Sequence, residues 1–337
     1  MELYINSVGS ISGDGGKEGS YPTSCLYAAE PDYTAYIKPM QLRRMSKAVR
    51  MGIGASTIAL EKVGLEKADA LSAGTAMGCL ADTEVFLKKL IDQEEQMLTP
   101  TAFIQSTHNT VAGQIALHTK CNGHNMTYVH RGHSFEHAMI NTQLYLNDNP
   151  SEFVLTGGLD ELTDGSIAAL QRGRVYTSNN LEQHEVLEGI NTGAVAGEGA
   201  TFFVVSGKPL KDNVACVKDV YCFSTKDTNA AIEKVSGFAQ CHEQNVDLVL
   251  LGDSGDKSTS EFYTQLRENI FKDVCQTSFK HLCGEYAVSS AYALSLLVDR
   301  ELSDSLFRTD RPEKIRKVII VNHFMHYYNC WYVELAV

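Results

Sequence analysis

Three histidines, a serine and a glycine share one eight-residue run, His130-Arg-Gly-His-Ser-Phe-Glu-His137. His133 and His137 are four apart, the spacing that sets two zinc ligands on one helix face, and His130 is close by. No acidic or cysteine ligand at suitable spacing completes the set, and Arg131 opposes a cation. Packed or hydrogen-bonded histidines are therefore the preferred reading, and neither a metal nor a cofactor is expected. Ser134, next to His133, has the chemistry of a nucleophile. As the cap of a helix with Glu136 in its first turn it needs no such role, and the cap is preferred. Lys280 and Glu285 could serve as a general base and its partner. A structural ion pair, extended by Asp256 or Glu261, is the commoner outcome. Phe324, Tyr327, Tyr328 and Trp331 either line an aromatic pocket or fill core.

These groups need elements to hold them. Met126 to Val129 reads as a short apolar strand, Gly132 as a sharp turn, and the residues beyond as a helix. Phe135, Ala138, Met139 and Leu144 recur there at roughly helical spacing. A strand turning straight into a helix brings free N–H groups and the positive end of a dipole to one point. That point suits a nucleophile or bound negative charge.

Strands are expected at 3–8, 68–75, 153–156, 200–205, 216–223, 246–251, 318–321 and 330–335. Helices are expected at 40–63, after Gly78, and at 109–119, 228–240, 258–271 and 286–297, with a Gly/Ser loop at 9–16 and loop with short helices at 164–196. The alternation predicts an α/β protein of two similar βαβ-rich halves, 1–165 and 166–337, forming one compact unit.

Composition narrows the function. The 337 residues are 44% hydrophobic and 21% charged, an ordinary globular balance. No run of eighteen apolar residues and no basic-then-apolar N-terminus occurs, so neither a membrane span nor a signal peptide is expected. Nine scattered cysteines, none in a C-x-x-C pair, read as reduced thiols in a cytoplasmic protein. A net charge of −12 without a basic block argues against nucleic acid.

Pro100-Thr-Ala-Phe-Ile-Gln-Ser-Thr-His-Asn-Thr-Val-Ala-Gly-Gln-Ile-Ala116, Gly157-Gly-Leu-Asp-Glu161 and Gly197-Glu-Gly-Ala200 bracket and follow the histidine run. In that order they resemble the β-ketoacyl-ACP synthases, condensing enzymes of the thiolase superfamily. The resemblance implies a layered α-β-α-β-α fold. It also implies four catalytic features: a cysteine on the strand-to-helix turn, two histidines, and an oxyanion hole near a Gly-Phe-Gly-Gly turn.

Aligned on His137-Ala-Met139, the cysteine position holds Gly132. The first histidine position falls at Gly252 and the second at Glu285, after Lys280 and Gly284. The Gly-Phe-Gly-Gly turn falls on Met325-His-Tyr-Tyr328. Tyr128-Val-His-Arg-Gly-His-Ser-Phe-Glu136 and Cys283-Gly-Glu-Tyr286 look like the chain-length-factor-like ketosynthases of aryl-polyene and flexirubin-type clusters.

The resemblance then implies a non-catalytic subunit paired with an active ketosynthase, or with itself, that meets acyl carrier protein through its partner. By the same resemblance the dimer forms through residues 126–129 and a helix at about 103–119. Phe103, Thr107, Thr110 and Gln114 would reach the partner's acyl pocket. Two other readings are an acyltransferase or thioesterase rebuilt on Ser134, His133 or Glu285, and a homodimeric binding module without a catalytic partner.

Overall fold

The computed structural model describes residues 2–17, 19–96, 98–210, 215–242, 246–299, 306 and 314–336. Ten strands form one hydrogen-bonded sheet: β1 (Leu3–Ser12), β2 (Ala70–Gly74), β3 (Asn125–Tyr128), β4 (Phe153–Asp160), β5 (Gly199–Ser206), β6 (Ala215–Ser224), β7 (Leu248–Leu251), β8 (Cys275–Ser278), β9 (Lys317–Phe324) and β10 (Tyr327–Leu335). Their spatial order is β8-β7-β9-β10-β6-β1-β5-β4-β2-β3.

The order is one pattern used twice. In the first five strands β3, β2 and β4 are parallel, β5 is antiparallel to β4, and β1 is antiparallel to β5. β8, β7, β9, β10 and β6 repeat those relations in the same sequence. A short antiparallel seam, Leu3–Ile5 against Val217–Ala215, joins the sets. By strand order the first set runs to Ser206, because the antiparallel strand 199–206 pairs back onto β1 and β4.

The helices divide into three layers. α1 (Lys47–Lys62) and α3 (Thr110–Thr119) cover the outer face of the first strand set. α6 (Thr228–His242) and α7 (Lys257–Gln265) cover the outer face of the second. α4 (Ser134–Asp148) and α8 (Ser289–Val298) lie between the sets and share one core with both. α2 (Leu80–Asp92) and α5 (Asp164–Arg172) are peripheral. On β9, Val318 and Ile320 face the central layer while Ile319 and Val321 face the outer one. Burial on both faces is why such strands read as unbroken apolar runs. Phe135 of α4 ties the halves together: it stacks 5.2 Å from Trp331 of β10 and lies 5.8 Å from Phe203 of β5.

Several boundaries differ from the sequence pattern. β1 runs on through Gly9 to Ser12, as ladder partners Gly9–Phe202 to Ser12–Gly199 continue through the expected loop. The helix expected from Met40 begins at Lys47, after a separate turn at Pro39–Leu42. The helical face expected at about 103–119 is two pieces, Pro100–Gln105 and α3. The hydroxyls of Thr107 and Thr110 both donate to the Ile104 carbonyl, which gives the first piece its end. α7 stops at Gln265 and passes into a wider turn at Leu266–Ile270.

Candidate functional site

β3 carries the chain toward α4 at the end of the first strand set. Arg131 takes the left-handed conformation (φ 51°), which folds His130 back over the start of α4. The buried Ser134 hydroxyl fixes that turn by accepting from the His130 N–H at 2.9 Å and donating to the Arg131 carbonyl at 2.8 Å. Ser134 is therefore the lock of the turn, and its hydroxyl is engaged in both directions. Gly74, ending β2, makes room for the first turn of α4: a Cβ there would lie 2.4 Å from the Ser134 carbonyl oxygen.

Gly132 is buried under the β9–β10 hairpin. A Cβ on it would sit 2.8 Å from Cβ of Tyr327 and 3.1 Å from Cβ of Phe324. His133 is buried with Nε2 3.0 Å from the Tyr328 carbonyl oxygen. A carbonyl only accepts, so that nitrogen carries the proton. Nδ1 of His130 and Nδ1 of His137 are 3.1 Å apart. Burial holds both His133 and His137 below the usual imidazole range, and neighbouring histidines lower them further. Tyr327 packs edge-on to His133 at 5.0 Å. The structure thus assembles all three sequence-flagged histidines.

The second strand set ends in a buried polar network. Glu285 Oε2 pairs with Lys280 Nζ at 2.5 Å, and that ammonium also donates to the His323 carbonyl at 2.7 Å. Burial lifts Glu285 to about 7 against the pull of Lys280. The Tyr263 hydroxyl lies 2.7 Å from the Gly252 carbonyl and 2.8 Å from Nδ1 of His323. Burial drives His323 well below the usual imidazole range, with Lys280 adding to the shift. At Gly252 a Cβ would meet Oδ1 of Asn322 at 2.2 Å, so backbone and Asn322 fill that space.

The extended ion pair expected with Asp256 or Glu261 does not form. Asp256 caps α7 through the Ser258 N–H, and Glu261 is exposed on the same helix. Met325, at the hairpin tip, is left-handed (φ 57°) and 44% exposed. The four aromatic residues do not line one pocket. Trp331 is in the central core, Tyr328 stacks on Phe223, Tyr327 covers His133, and Phe324 faces a cavity of ≈ 30 Å³. That cavity has room for a couple of waters.

The acidic motifs have structural work. Asp160 accepts from Thr75 Oγ1 and from the Ala76 and Met77 N–H groups, and burial lifts it to about 6. Glu161 accepts from Ala48 and Ala81, free N–H donors in the first turns of α1 and α2, and burial lifts it to about 7. Glu198 accepts from the Ala28 and Leu162 N–H groups and from Lys47. Glu136, fully buried in the first turn of α4, is also lifted to about 7, with Ser290 donating to it at 2.5 Å.

Burial raises the thiols of Cys25, Cys79, Cys121, Cys216, Cys222, Cys283 and Cys330. Raised thiols are poor nucleophiles at neutral pH.

Phe103 is 58% exposed beside Phe86, and Thr107 and Thr110 share a 3.0 Å hydroxyl contact. Gln114 is half-buried on α3. Among the described residues β3 pairs with β2 alone, so it is the edge strand of the first set. Val85, Leu87, Ile91, Ile104, Leu117, Met126, Val129 and Leu144 are exposed in the first half. Sequence reasoning missed Tyr263 and His323 in the polar network, since neither belongs to a motif. The burial of Glu136, between Phe135 and the half-buried His137, has no signal of its own in the sequence.

Two stacked five-stranded sets with helices outside and between make this a thiolase-like fold. The chain belongs to the β-ketoacyl synthase family, matching the model of the β-ketoacyl synthase N-terminal domain over residues 22–210. No curated protein matches the sequence.

Among solved structures it is similar to a β-ketoacyl synthase from Burkholderia phymatum STM815, with TM-score 0.76 and 14% identity over 100% of both chains. It is similar to the ishigamide ketosynthase/chain length factor, with TM-score 0.75 and 13% identity over 99% of this chain and 98% of that one. A third is the ketosynthase ApeO in complex with its chain length factor ApeC from Xenorhabdus doucetiae, with TM-score 0.72 and 15% identity over 99% and 98%. Among the described residues no helix is long and apolar enough to cross a membrane.

Proposed function

We propose that this chain is a non-catalytic, chain-length-factor-like member of the family that pairs with an active β-ketoacyl-ACP synthase. The observation that carries this reading is Gly132. It sits at the strand-to-helix turn with no side chain, and the Phe324–Tyr327 hairpin occupies the space one would need. Covalent acyl transfer requires a nucleophile with an approach path, and a glycine sealed by two aromatic residues offers neither.

The positions aligned with the two histidines hold Gly252, packed on Asn322, and Glu285, held by Lys280. Ser134 is a weak substitute, because it is buried and both its hydrogen-bond roles serve the turn. The unpaired edge of β3 and the apolar side chains around it supply the pairing surface. The ketosynthase/chain length factor neighbours support that arrangement.

In this reading acyl carrier protein docks through the partner, as the acidity of this chain favours, and Phe103, Thr107, Thr110 and Gln114 bound the partner's acyl pocket. The pathway is of fatty-acid or polyketide type, and the sequence resemblance points to aryl polyenes. Co-expression with a ketosynthase encoded nearby tests the reading. The two chains should co-purify as a dimer and condense malonyl-ACP, while this chain alone does not. Condensation or decarboxylation by the pure chain would overturn it.

A further inference from the structure

We propose that His130, His133 and His137 form a binding site for one divalent transition-metal ion, with zinc the best match, at the β3–α4 turn. One ligand atom from each ring lies within 4.8 Å of the others, and no carboxylate or thiol joins them among the described residues. The ring centres are 4.6, 5.7 and 6.0 Å apart. Imidazoles bound tetrahedrally at about 2.1 Å from zinc hold their ring centres about 5 Å apart, so the cluster needs only side-chain adjustment.

The protonation pattern fits a ligand set. The His133 Nε2 proton is committed to the Tyr328 carbonyl, and in that tautomer Nδ1 carries the lone pair. An outer carbonyl that fixes the tautomer of a ligating histidine is the usual companion of a metal site. The Nδ1 atoms of His130 and His137 already converge at 3.1 Å, and two nitrogens on one tetrahedral zinc stand about 3.4 Å apart.

The backbone that creates this convergence is itself unusual. Arg131 adopts a conformation that side chains rarely take, and the Ser134 hydroxyl holds it there. Strain maintained at one residue is often the mark of a functional position. Here its effect is to bring His130 over the other two rings. His130 is exposed and His133 buried, so an ion enters from the solvent side, where water completes the coordination. The exposed Arg131 lies next to the ligands in sequence, and solvent screens its charge. The proposal does not depend on pairing with a ketosynthase.

Zinc chloride titrated into untagged full-length protein, against a chromophoric chelator, tests the site. One equivalent should bind. His130→Gln and His137→Gln should each weaken binding by about tenfold or more, and the double variant by about a hundredfold. Cobalt(II) should give the visible absorption of a tetrahedral site in the wild type and lose it in the double variant. His133 is buried and its variants report on folding, so the test rests on the two accessible rings. Wild-type affinity weaker than about 10 μM, or equal to that of the double variant, would overturn the site.

Discussion

The two strand sets share one topology and end differently. The edge of the first, β3, reads Asn125-Met-Thr-Tyr128 and is bordered by exposed Leu117, Val129 and Leu144. The edge of the second, β8, reads Cys275-Gln-Thr-Ser278 and is tied to its own chain. Gln276 donates to the Arg267 and Phe271 carbonyls, and Thr277 donates to Leu306. Among the described residues, Met325 is the one exposed large apolar side chain beyond residue 210. The edge strand of the second copy has its side chains bonded to neighbouring segments of the same chain. The other copy leaves an edge strand with exposed Met126 and neighbouring apolar side chains, of the kind that invites another strand. In the proposed pair the partner would meet the first half.

Charging each edge is the sharpest way to break this comparison. Met126→Asp with Val129→Asp should take the pair from co-purified to undetectable on size-exclusion chromatography, with the monomer's circular dichroism unchanged. Gln276→Asp with Thr277→Asp should leave pairing intact. Equal effects from both would remove the asymmetry.

Next in size is the contrast between two buried acids, one in each half. Glu285 has an ion-pair partner, so Lys280→Met should cost about 3–5 kcal/mol in denaturant melts by leaving a buried carboxylate unpaired. Adding Glu285→Gln should recover most of that loss.

Glu136 has no ion-pair partner among the described residues, and burial puts its folded pKa, about 7, above the ordinary 4.5 despite the Ser290 hydrogen bond. The folded state therefore holds the proton more tightly than the unfolded state. Its contribution to stability is fully present below about pH 4.5 and is lost as pH rises through about 7. Glu136→Gln should be more stable than the wild type at pH 8, by up to about 3 kcal/mol, and the advantage should vanish below about pH 4.5. Melting temperatures across that range check it, and a constant offset would mean that Glu136 is already ionised when folded.

The smallest effect is at the turn itself. Gly132→Cys should destabilise by about 1–3 kcal/mol through overpacking against Phe324 and Tyr327, in a chemical denaturation curve. It should also fail to capture an acyl group from a thioester.

Much of this is legible in the sequence. Apolar periodicity gave the strands and helices buried on matching faces, and glycines at 132 and 252 marked positions without side chains. What stayed hidden was non-local. β8 is four residues, three of them polar, and is held by its parallel neighbour β7, so its own pattern carried no strand signal. The spacing of His133 and His137 was visible. Bringing His130 onto them depends on a left-handed arginine that sequence does not announce. The Tyr263–His323 contact joins residues sixty apart, and nothing local in either segment points to the other.

Intact-mass spectrometry of the purified pair after exposure to an acyl thioester tests the central claim most directly. The account predicts acyl mass on the ketosynthase partner and none on this chain. An acyl adduct on this chain, lost in Ser134→Ala, would contradict it.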